Sequence, residues 1–190
     1  MKKLLVLSVI AMLGLASCKK DEATPVVPVV TDYDKADAIA GGILYDKFWA
    51  TEAKYDVTDT ARISHLNKYA DFYRCKQCHA WDLMGNTGSY INRGPKTNRP
   101  NVAGSLLPSK AKSAQQLFDA IKTGSATRRT TSADLASYNP TTNATVGDQM
   151  PNFSTLLTDG QIWDIVKFIK EGALDVTQLY DAAYTGTYPT

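Results

Sequence analysis

Two thiols and an imidazole lie within one five-residue motif near the middle of this 190-residue chain. Cys75, Cys78 and His79 are the chemically reactive members of the sequence Cys-Lys-Gln-Cys-His. Residues of these types could ligate a metal ion, carry out thiol–disulfide chemistry, or attach and ligate a haem. The chain contains one further cysteine, Cys18, and one further histidine, His65, which limits these possibilities.

Zinc and thiol chemistry are the less well supported interpretations. A structural zinc site needs four cysteine or histidine ligands, and the adjacent Cys78 and His79 are poorly placed to bind one ion. Redox-active Cys-x-x-Cys motifs occur in a thioredoxin-like βαβ pattern, which this sequence lacks. A structural disulfide between Cys75 and Cys78 is compatible with export, but it leaves His79 without a role.

Covalent haem attachment gives all three residues a role. Two thiols three positions apart project from one helical turn, where they can add to the two vinyl groups of one porphyrin. The histidine that follows is then held beneath the iron as an axial ligand. Cys-x-x-Cys-His is the attachment signature of c-type haem, and attachment takes place outside the cytoplasm, so this interpretation requires an exported protein.

The N-terminal residues are typical of an exported lipoprotein. Two lysines precede an apolar run of about a dozen residues, which is too short to span a bilayer and fits an export signal. The run ends in Leu-Ala-Ser-Cys, which resembles a bacterial lipobox. Residues 1–17 are therefore the predicted signal peptide and Cys18 the predicted lipid attachment site. The alternative is an ordinary cleavage site that leaves Cys18 free.

Residues 18–33 contain two prolines and few large side chains, which indicates an extended tether. Its sequence Lys-Lys-Asp-Glu resembles the sorting signal of bacterial surface lipoproteins, although a solvated charged tether explains it equally well. We therefore expect a protein anchored to the membrane by lipid, at the periplasmic face of a membrane or at the outer-membrane surface. Loss of two lysines with the leader leaves 19 basic and 19 acidic residues, which argues against a nucleic-acid partner.

Apolar spacing predicts three helices and no convincing strand. The first covers residues 34–55, with a face formed by Ala36, Ile39, Ile43, Leu44, Phe48 and Trp49. Gly41 and Gly42 lie inside it, and they indicate either the close approach of another element or a helix that begins after them.

Capping boxes mark the other two helices. Ser113 and Gln116 begin the second, in which Leu117 and Ile121 share a face and which Gly124 ends. Thr158 and Gln161 begin the third, which Gly172 ends and whose apolar face comprises Ile162, Ile165, Val166 and Ile169. Long loops separate these short helices, so we expect a large apolar cofactor in the centre of the molecule.

The order of these features along the chain resembles that in the single-haem class I cytochromes c. The motif, a distant Met150-Pro151 and the last helix are similar to that family's haem site, methionine loop and C-terminal helix. The motif's aromatic-Arg prefix and Trp-Asp suffix resemble a bacterial subgroup. The resemblance implies an all-α domain over residues 34–178, with three or more helices and long loops around one covalent haem c, and a C-terminal tail over residues 179–190.

The same resemblance implies that His79 and Met150 are the axial ligands of the haem iron. Met150 follows His79 by 71 residues, so the intervening chain can circle the haem. Met84 follows His79 by only five residues and is expected to pack in the core, whereas His65 would give bis-histidine ligation. Ligation by histidine and methionine favours a higher reduction potential.

A proximal histidine normally has its second ring nitrogen held by a hydrogen bond. The family uses a proline carbonyl in a Pro-Asn-Leu-like sequence, which Pro100-Asn101-Val102 matches better than the competing Pro95 does. The first and last helices of the family cross closely, which Gly41 or Gly42 would permit here. Residues 56–70 and 125–148 are insertions relative to the family.

An iron with protein side chains in both axial positions has no site for a substrate, but it exchanges electrons through the haem edge. We therefore expect electron transport by a monomer between redox-protein partners, without enzymatic activity. The alternative is a haem enzyme, or a subunit of one, in which a small redox substrate displaces Met150. A sensor or adhesion module with a structural haem is a third possibility.

Overall fold

The computed structural model describes residues 31–51, 69–123, 135–144 and 149–176. The regular secondary structure within these ranges is helical. The β-bridges described there are two isolated ones, Lys96–Arg99 and Asn139–Asn143. The predicted all-α class is confirmed. None of the helices described is both long and apolar enough to cross a membrane. The predicted signal peptide, Cys18, His65 and the C-terminal tail lie outside the described residues.

Five short α-helices organise the described part of the chain. They are α1 (Asp32–Lys35), α2 (Ala38–Lys47), α3 (Cys75–His79), α4 (Ala114–Lys122) and α5 (Asp159–Lys167). A π-helical turn, Phe168–Gly172, continues α5, and 3₁₀ turns cover Phe48–Thr51, Ala70–Tyr73, Gly85–Thr87 and Leu107–Ala111. Both predicted capping boxes, at the first residues of α4 and α5, are present.

The predicted single helix over residues 34–55 is wrong. The chain leaves helical geometry at Ala36, whose ψ angle is 154°. It becomes helical again because the Asp37 carboxylate accepts hydrogen bonds from the N–H groups of Ile39, at 2.7 Å, and Ala40, at 3.2 Å. Aspartate is a preferred residue at this N-terminal capping position, so the break between α1 and α2 has a local cause.

The predicted apolar face of the first helix is also partly wrong. Ile39 and Ile43 are 79% and 47% exposed, whereas α2 buries Gly41, Leu44 and Tyr45. The buried side of α2 is therefore the side that includes a residue without a side chain. A helix can approach another backbone most closely along such a side.

Gly41 lies where α2 crosses α5. A Cβ atom at this position would fall well inside contact distance of the Asp164 carbonyl oxygen and 2.9 Å from Phe168 Cβ. At Gly42 a Cβ atom would lie 3.2 Å from the Phe168 ring. The Asp164 carboxylate also accepts a hydrogen bond from the Asp37 N–H, at 2.8 Å. The close-approach interpretation of the two glycines is confirmed, and a helix beginning after them is excluded.

The predicted faces of α4 and α5 are buried and meet in one core. Phe118 of α4 stacks on Trp163 of α5, with ring centroids 4.3 Å apart. Four aromatic residues in this core are almost completely inaccessible: Tyr45, Phe48, Phe72 and Tyr73. The helices thus pack on one another through buried side chains, in addition to the apolar cofactor expected in the centre.

Candidate functional site

The three motif residues share one apolar pocket with Met150. Cys75, Cys78 and His79 occupy the single turn of α3, and Met150 approaches from the segment that precedes α5. The remaining wall consists of Phe72, Arg74, Ala103, Pro151 and Phe153. The fold therefore brings together residues that are 71 positions apart in the sequence.

The Cys75 thiol is poorly suited to redox catalysis. Cys75 and Cys78 are not joined by a disulfide, and Cys75 packs against the hydrophobic core. Some of the Cys75 surface stays accessible through the pocket, but burial, aided by the nearby Cys78, raises the pKa of its thiol to about 12. Catalytic thiols have a lowered pKa, because the thiolate is the nucleophile. The buried environment of Cys75 therefore disfavours the thiol interpretation.

A zinc site finds no support either. Within the ranges that the structure describes, no group of three or more His, Cys, Asp or Glu side chains is arranged to hold a metal ion. Two thiols on one helical turn, an adjacent imidazole and aromatic walls instead suit a flat apolar cofactor attached through both sulfur atoms.

Tyr45 fixes the end of α3. Its hydroxyl donates a buried 2.8 Å hydrogen bond to the carbonyl oxygen of Ala80, the residue after His79. Burial, together with Cys75 and Cys78, raises the pKa of the Tyr45 hydroxyl well above its ordinary value, so the group remains a donor. Ala80 has a positive φ of 60°, which residues other than glycine rarely adopt. The hydrogen bond from Tyr45 helps to hold Ala80 in this conformation.

Asp82 organises the turn that follows. This buried carboxylate accepts hydrogen bonds from the N–H groups of Met84, at 3.0 Å, and Ser89, at 2.8 Å. Gly88 packs so closely that a Cβ atom there would lie 2.6 Å from an Asp82 carboxylate oxygen. In the sequence, Asp82 stands out only as part of the Trp-Asp suffix, although an aspartate ahead of a glycine-rich turn commonly binds backbone N–H groups.

The segment predicted to hold His79 does lie against α3. Pro100 is fully buried, and the Ala103 N–H donates a 2.9 Å hydrogen bond to the Cys78 carbonyl oxygen. Pro95 instead borders a separate open cleft formed by residues 89–99. The His79 Nδ1 atom has almost no accessible surface, as expected of a nitrogen enclosed by protein. The hydrogen bond between His79 and Pro100 stays a prediction.

The two described methionines near the site occupy different environments. Met84 is 6% exposed and lies outside the pocket wall, in agreement with the packing role predicted for it. Met150 packs against the core while presenting part of its surface to the pocket that His79 borders. Of these two described methionines, Met150 is therefore the one that borders the same pocket as His79.

An ion-pair network, which the sequence reasoning missed, ties α3 to the end of α2. Arg74 donates to the Asp46 carbonyl oxygen at 2.9 Å, forms a close ion pair with the Asp46 carboxylate, and bonds to Asp71 at 3.0 Å. Lys76 adds a 2.8 Å ion pair to Asp46. Burial raises the pKa of Asp46, but hydrogen bonds from Arg74 and Lys76 outweigh that effect and leave the pKa below its ordinary value.

Replacing Asp46 with asparagine is expected to destabilise the protein by about 1–3 kcal/mol at pH 7, because Arg74 loses its principal partner. A carboxyl with a lowered pKa stabilises the fold above its unfolded pKa of about 4, and this contribution disappears as the pH falls through the folded-state value. The difference from the unsubstituted protein should therefore shrink below about pH 4 in urea unfolding monitored by circular dichroism.

Asp32→Asn is the matched control, because it removes a carboxylate from an exposed ion pair with Lys35. Such pairs contribute about 0–1 kcal/mol, so this control should change stability little at any pH. Equal effects of Asp46→Asn and Asp32→Asn at pH 7 would contradict the structural role assigned to Arg74.

A family model described as cytochrome c matches residues 68–173 of the chain. The match covers more than half of the sequence and includes α3, the pocket wall, α4, α5 and the π-helical turn. No curated protein and no solved structure matches the chain.

Proposed function

Since this chain belongs to the cytochrome c family, we propose that it is a single-haem electron carrier in which His79 and Met150 ligate the iron. Family membership carries two general conclusions: the chain binds c-type haem covalently, and its function is haem-based electron transfer. Cys75 and Cys78 have the spacing for attachment. The proposal adds to these conclusions that Met150 is the second axial ligand of the iron.

One observation carries the proposal: Met150 and His79 border the same apolar pocket although their elements are far apart in sequence. When bound, the haem supplies a one-electron couple. The protein's part is to present an imidazole and a thioether, both uncharged, and to surround them with Phe72 and Phe153. Such surroundings limit the access of water, which favours electron transfer with little rearrangement over the binding of a substrate.

Replacing Met150 with leucine is expected to open one axial position of the iron while conserving side-chain volume. The ferric protein should lose the red-region band of methionine-to-iron charge transfer and acquire cyanide binding. Its midpoint potential should fall by on the order of 0.1 V or more, since axial ligands set haem potentials over about 0.8 V. Optical spectra and a redox titration check these outcomes.

Met84→Leu is the control, because it makes the same change in a buried methionine outside the pocket wall. It should retain the red-region band and the potential. The carrier proposal would be overturned if the unsubstituted ferric protein lacked the band, bound cyanide tightly and gave a high-spin signal. That result would instead support the alternative, an enzyme or enzyme subunit acting on a small redox substrate.

We further propose that the protein is exported and anchored by lipid at Cys18, and that it exchanges electrons as a monomer with redox proteins near that membrane. The support is the sequence of the first 18 residues, together with the requirement that haem attachment take place outside the cytoplasm. A tether of residues 18–33 would keep the haem domain close to its partners, and transient contacts suit such exchange.

Cys18→Ser is expected to release the protein from the membrane fraction while leaving the haem attached, because a single side chain carries the lipid. Fractionation combined with a pyridine haemochrome spectrum tests both statements in one preparation. Retention of Cys18→Ser in the membrane fraction, with normal haem content, would refute the lipid anchor and leave the electron-carrier proposal intact.

A further inference from the structure

An exposed tryptophan lies two residues after His79. The side chain of Trp81 is 46% exposed, although its neighbours Ala80 and Asp82 are buried. The other large apolar side chains that are exposed in the described ranges are aliphatic: Ile39, Ile43, Ile91 and Leu174. Trp81 therefore offers an aromatic ring to the solvent directly beside the haem-attachment motif.

Trp81 is the outer member of a cluster of three aromatic rings that lies against α3. Its ring centroid is 5.7 Å from that of Tyr45 and 6.0 Å from that of Phe168, and the Tyr45 and Phe168 centroids are 5.1 Å apart. Tyr45 is completely buried, and both Cys75 and Cys78 are near enough to help raise its pKa. The cluster thus extends from the surroundings of the two thiols to the surface of the protein.

Two connections between α3 and the surface meet at the indole of Trp81. One is covalent and runs from His79 through Ala80 to Trp81. The other runs through Tyr45, whose hydroxyl donates a 2.8 Å hydrogen bond to the Ala80 carbonyl oxygen and whose ring contacts Trp81. Electron tunnelling weakens steeply with distance, and it weakens less through bonds and packed atoms than through empty space. The Trp81 ring is therefore a well-coupled surface group.

Lys76 holds this ring in place. Its Nζ atom lies 5.4 Å from the centre of the Trp81 ring, and a 2.8 Å ion pair with Asp46 fixes the ammonium group there. Such a cation–π contact stabilises the orientation of the indole. The positive charge also opposes removal of an electron from the indole, so the ring serves as a medium for tunnelling and is not itself oxidised.

The surface around Trp81 suits a short contact with another protein. Trp81 borders a groove whose apolar residues include Phe168, Leu174 and Val176. Tryptophan is enriched among the residues that contribute most to protein–protein binding. Contacts between electron-transfer proteins are small, below about 1,200 Å² in total, so one exposed indole and a neighbouring leucine are a substantial part of such a contact.

We propose that Trp81 is the residue through which the haem exchanges electrons with the protein's redox partner. The inference rests on the proposed function, because it requires a haem in the pocket. One electron passes from the ferrous iron to the oxidised centre of the partner, or from a reduced partner to the ferric iron. No bond forms or breaks, and no proton moves. The competing route is direct exchange at the pocket itself, on the side bordered by Met150 and Phe153.

A photoactive ruthenium polypyridyl label attached beside Trp81 tests the route. The label is joined to a cysteine introduced by Leu174→Cys, in the full-length holoprotein with Cys18→Ser, so that the introduced cysteine is the one thiol not linked to haem. Laser-flash spectroscopy measures the rate of electron transfer between the label and the haem. Trp81→Leu should slow this transfer several-fold, because the smaller side chain breaks the contact with Tyr45. Trp81→Phe keeps an aromatic ring and should restore most of the rate.

The same label at Ser154→Cys is the matched control. Ser154 is exposed and adjoins the pocket residue Phe153, so transfer from this position does not involve Trp81. Its rate should be the same in the Trp81→Leu and unsubstituted backgrounds. The midpoint potential and the red-region band should also be unchanged by Trp81→Leu, because the indole does not ligate the iron.

A pyridine haemochrome spectrum of the unsubstituted protein separates the two proposals. Absence of covalent haem there defeats the proposed function. With haem present, an unchanged rate from the Leu174→Cys label in Trp81→Leu would overturn the Trp81 route alone. Equal slowing from both label positions, or a shifted midpoint potential, would also overturn it, because it would show that Trp81 supports the haem site without carrying the electron.

Discussion

Gly41→Ala is expected to destabilise the protein by about 3 kcal/mol or more, although alanine is intrinsically the better helix former by about 1 kcal/mol. The added methyl group meets the Asp164 carbonyl oxygen, which belongs to the backbone of α5 and has no rotamer to change. Relief requires that α2 and α5 move apart along their whole interface. Urea unfolding of the full chain, monitored by circular dichroism, measures the loss.

Gly42→Ala is the matched control one residue away. Its methyl group would lie 3.2 Å from the ring of Phe168, a side chain that can shift by a few tenths of an ångström. The gain in helix propensity and this minor strain should leave the stability within about 1 kcal/mol. If Gly41→Ala were as stable as Gly42→Ala, the backbone contact between α2 and α5 would not exist in solution.

The combined change Cys75→Ala and Cys78→Ala is expected to abolish covalent haem attachment completely, since both possible thioether links are removed. We also expect a large loss of stability, on the order of 3 kcal/mol or more, because the pocket's apolar walls lose their contents. Visible absorption of the purified protein and its thermal unfolding measure the two effects. Cys75→Ser alone is the control, which keeps one thiol for a single link.

Helicity should survive in the double variant, because α2, α4 and α5 pack on one another through buried side chains. Complete loss of the helical circular dichroism signal would show that these helices do not form without the haem.

Local chemistry explains which elements could be predicted from the sequence. The helix starts at Ser113 and Thr158 are determined by a hydroxyl and a glutamine three residues later, and both are found as expected. The Cys-x-x-Cys-His motif is likewise a contiguous signal, and it located α3 and three pocket residues.

The orientation of α2 could not be predicted by the same reasoning. Apolar periodicity counts side chains, so it selected Ile39 and Ile43, whereas the crossing of α2 with α5 takes place at Gly41, which has no side chain. The break before α2 had a readable signal in the Asp37 cap, which the apolar pattern obscured.

Contacts between distant residues were beyond a sequence argument for a different reason. Tyr45 and Ala80 are 35 positions apart, and Asp46 meets Arg74 only because α2 ends beside the start of α3. Nothing in the local sequence of either partner specifies the other. The residues that hold α3 in place could therefore be identified only from the structure, whereas its reactive residues could be identified from the sequence.

The crossing of α2 and α5 also sets an order of events during folding. α2 is synthesised early, but Gly41 cannot be buried until Asp164, 123 residues later, has been made. Closing so long a loop carries an entropic penalty, and contacts between distant residues form slowly. The thiols of α3 lie between these two segments, so we expect them to be reachable by an attachment reaction until the last helix docks. A chain that ends before Asp159 would lack α5, so we expect its α3 thiols to remain accessible to the attachment reaction.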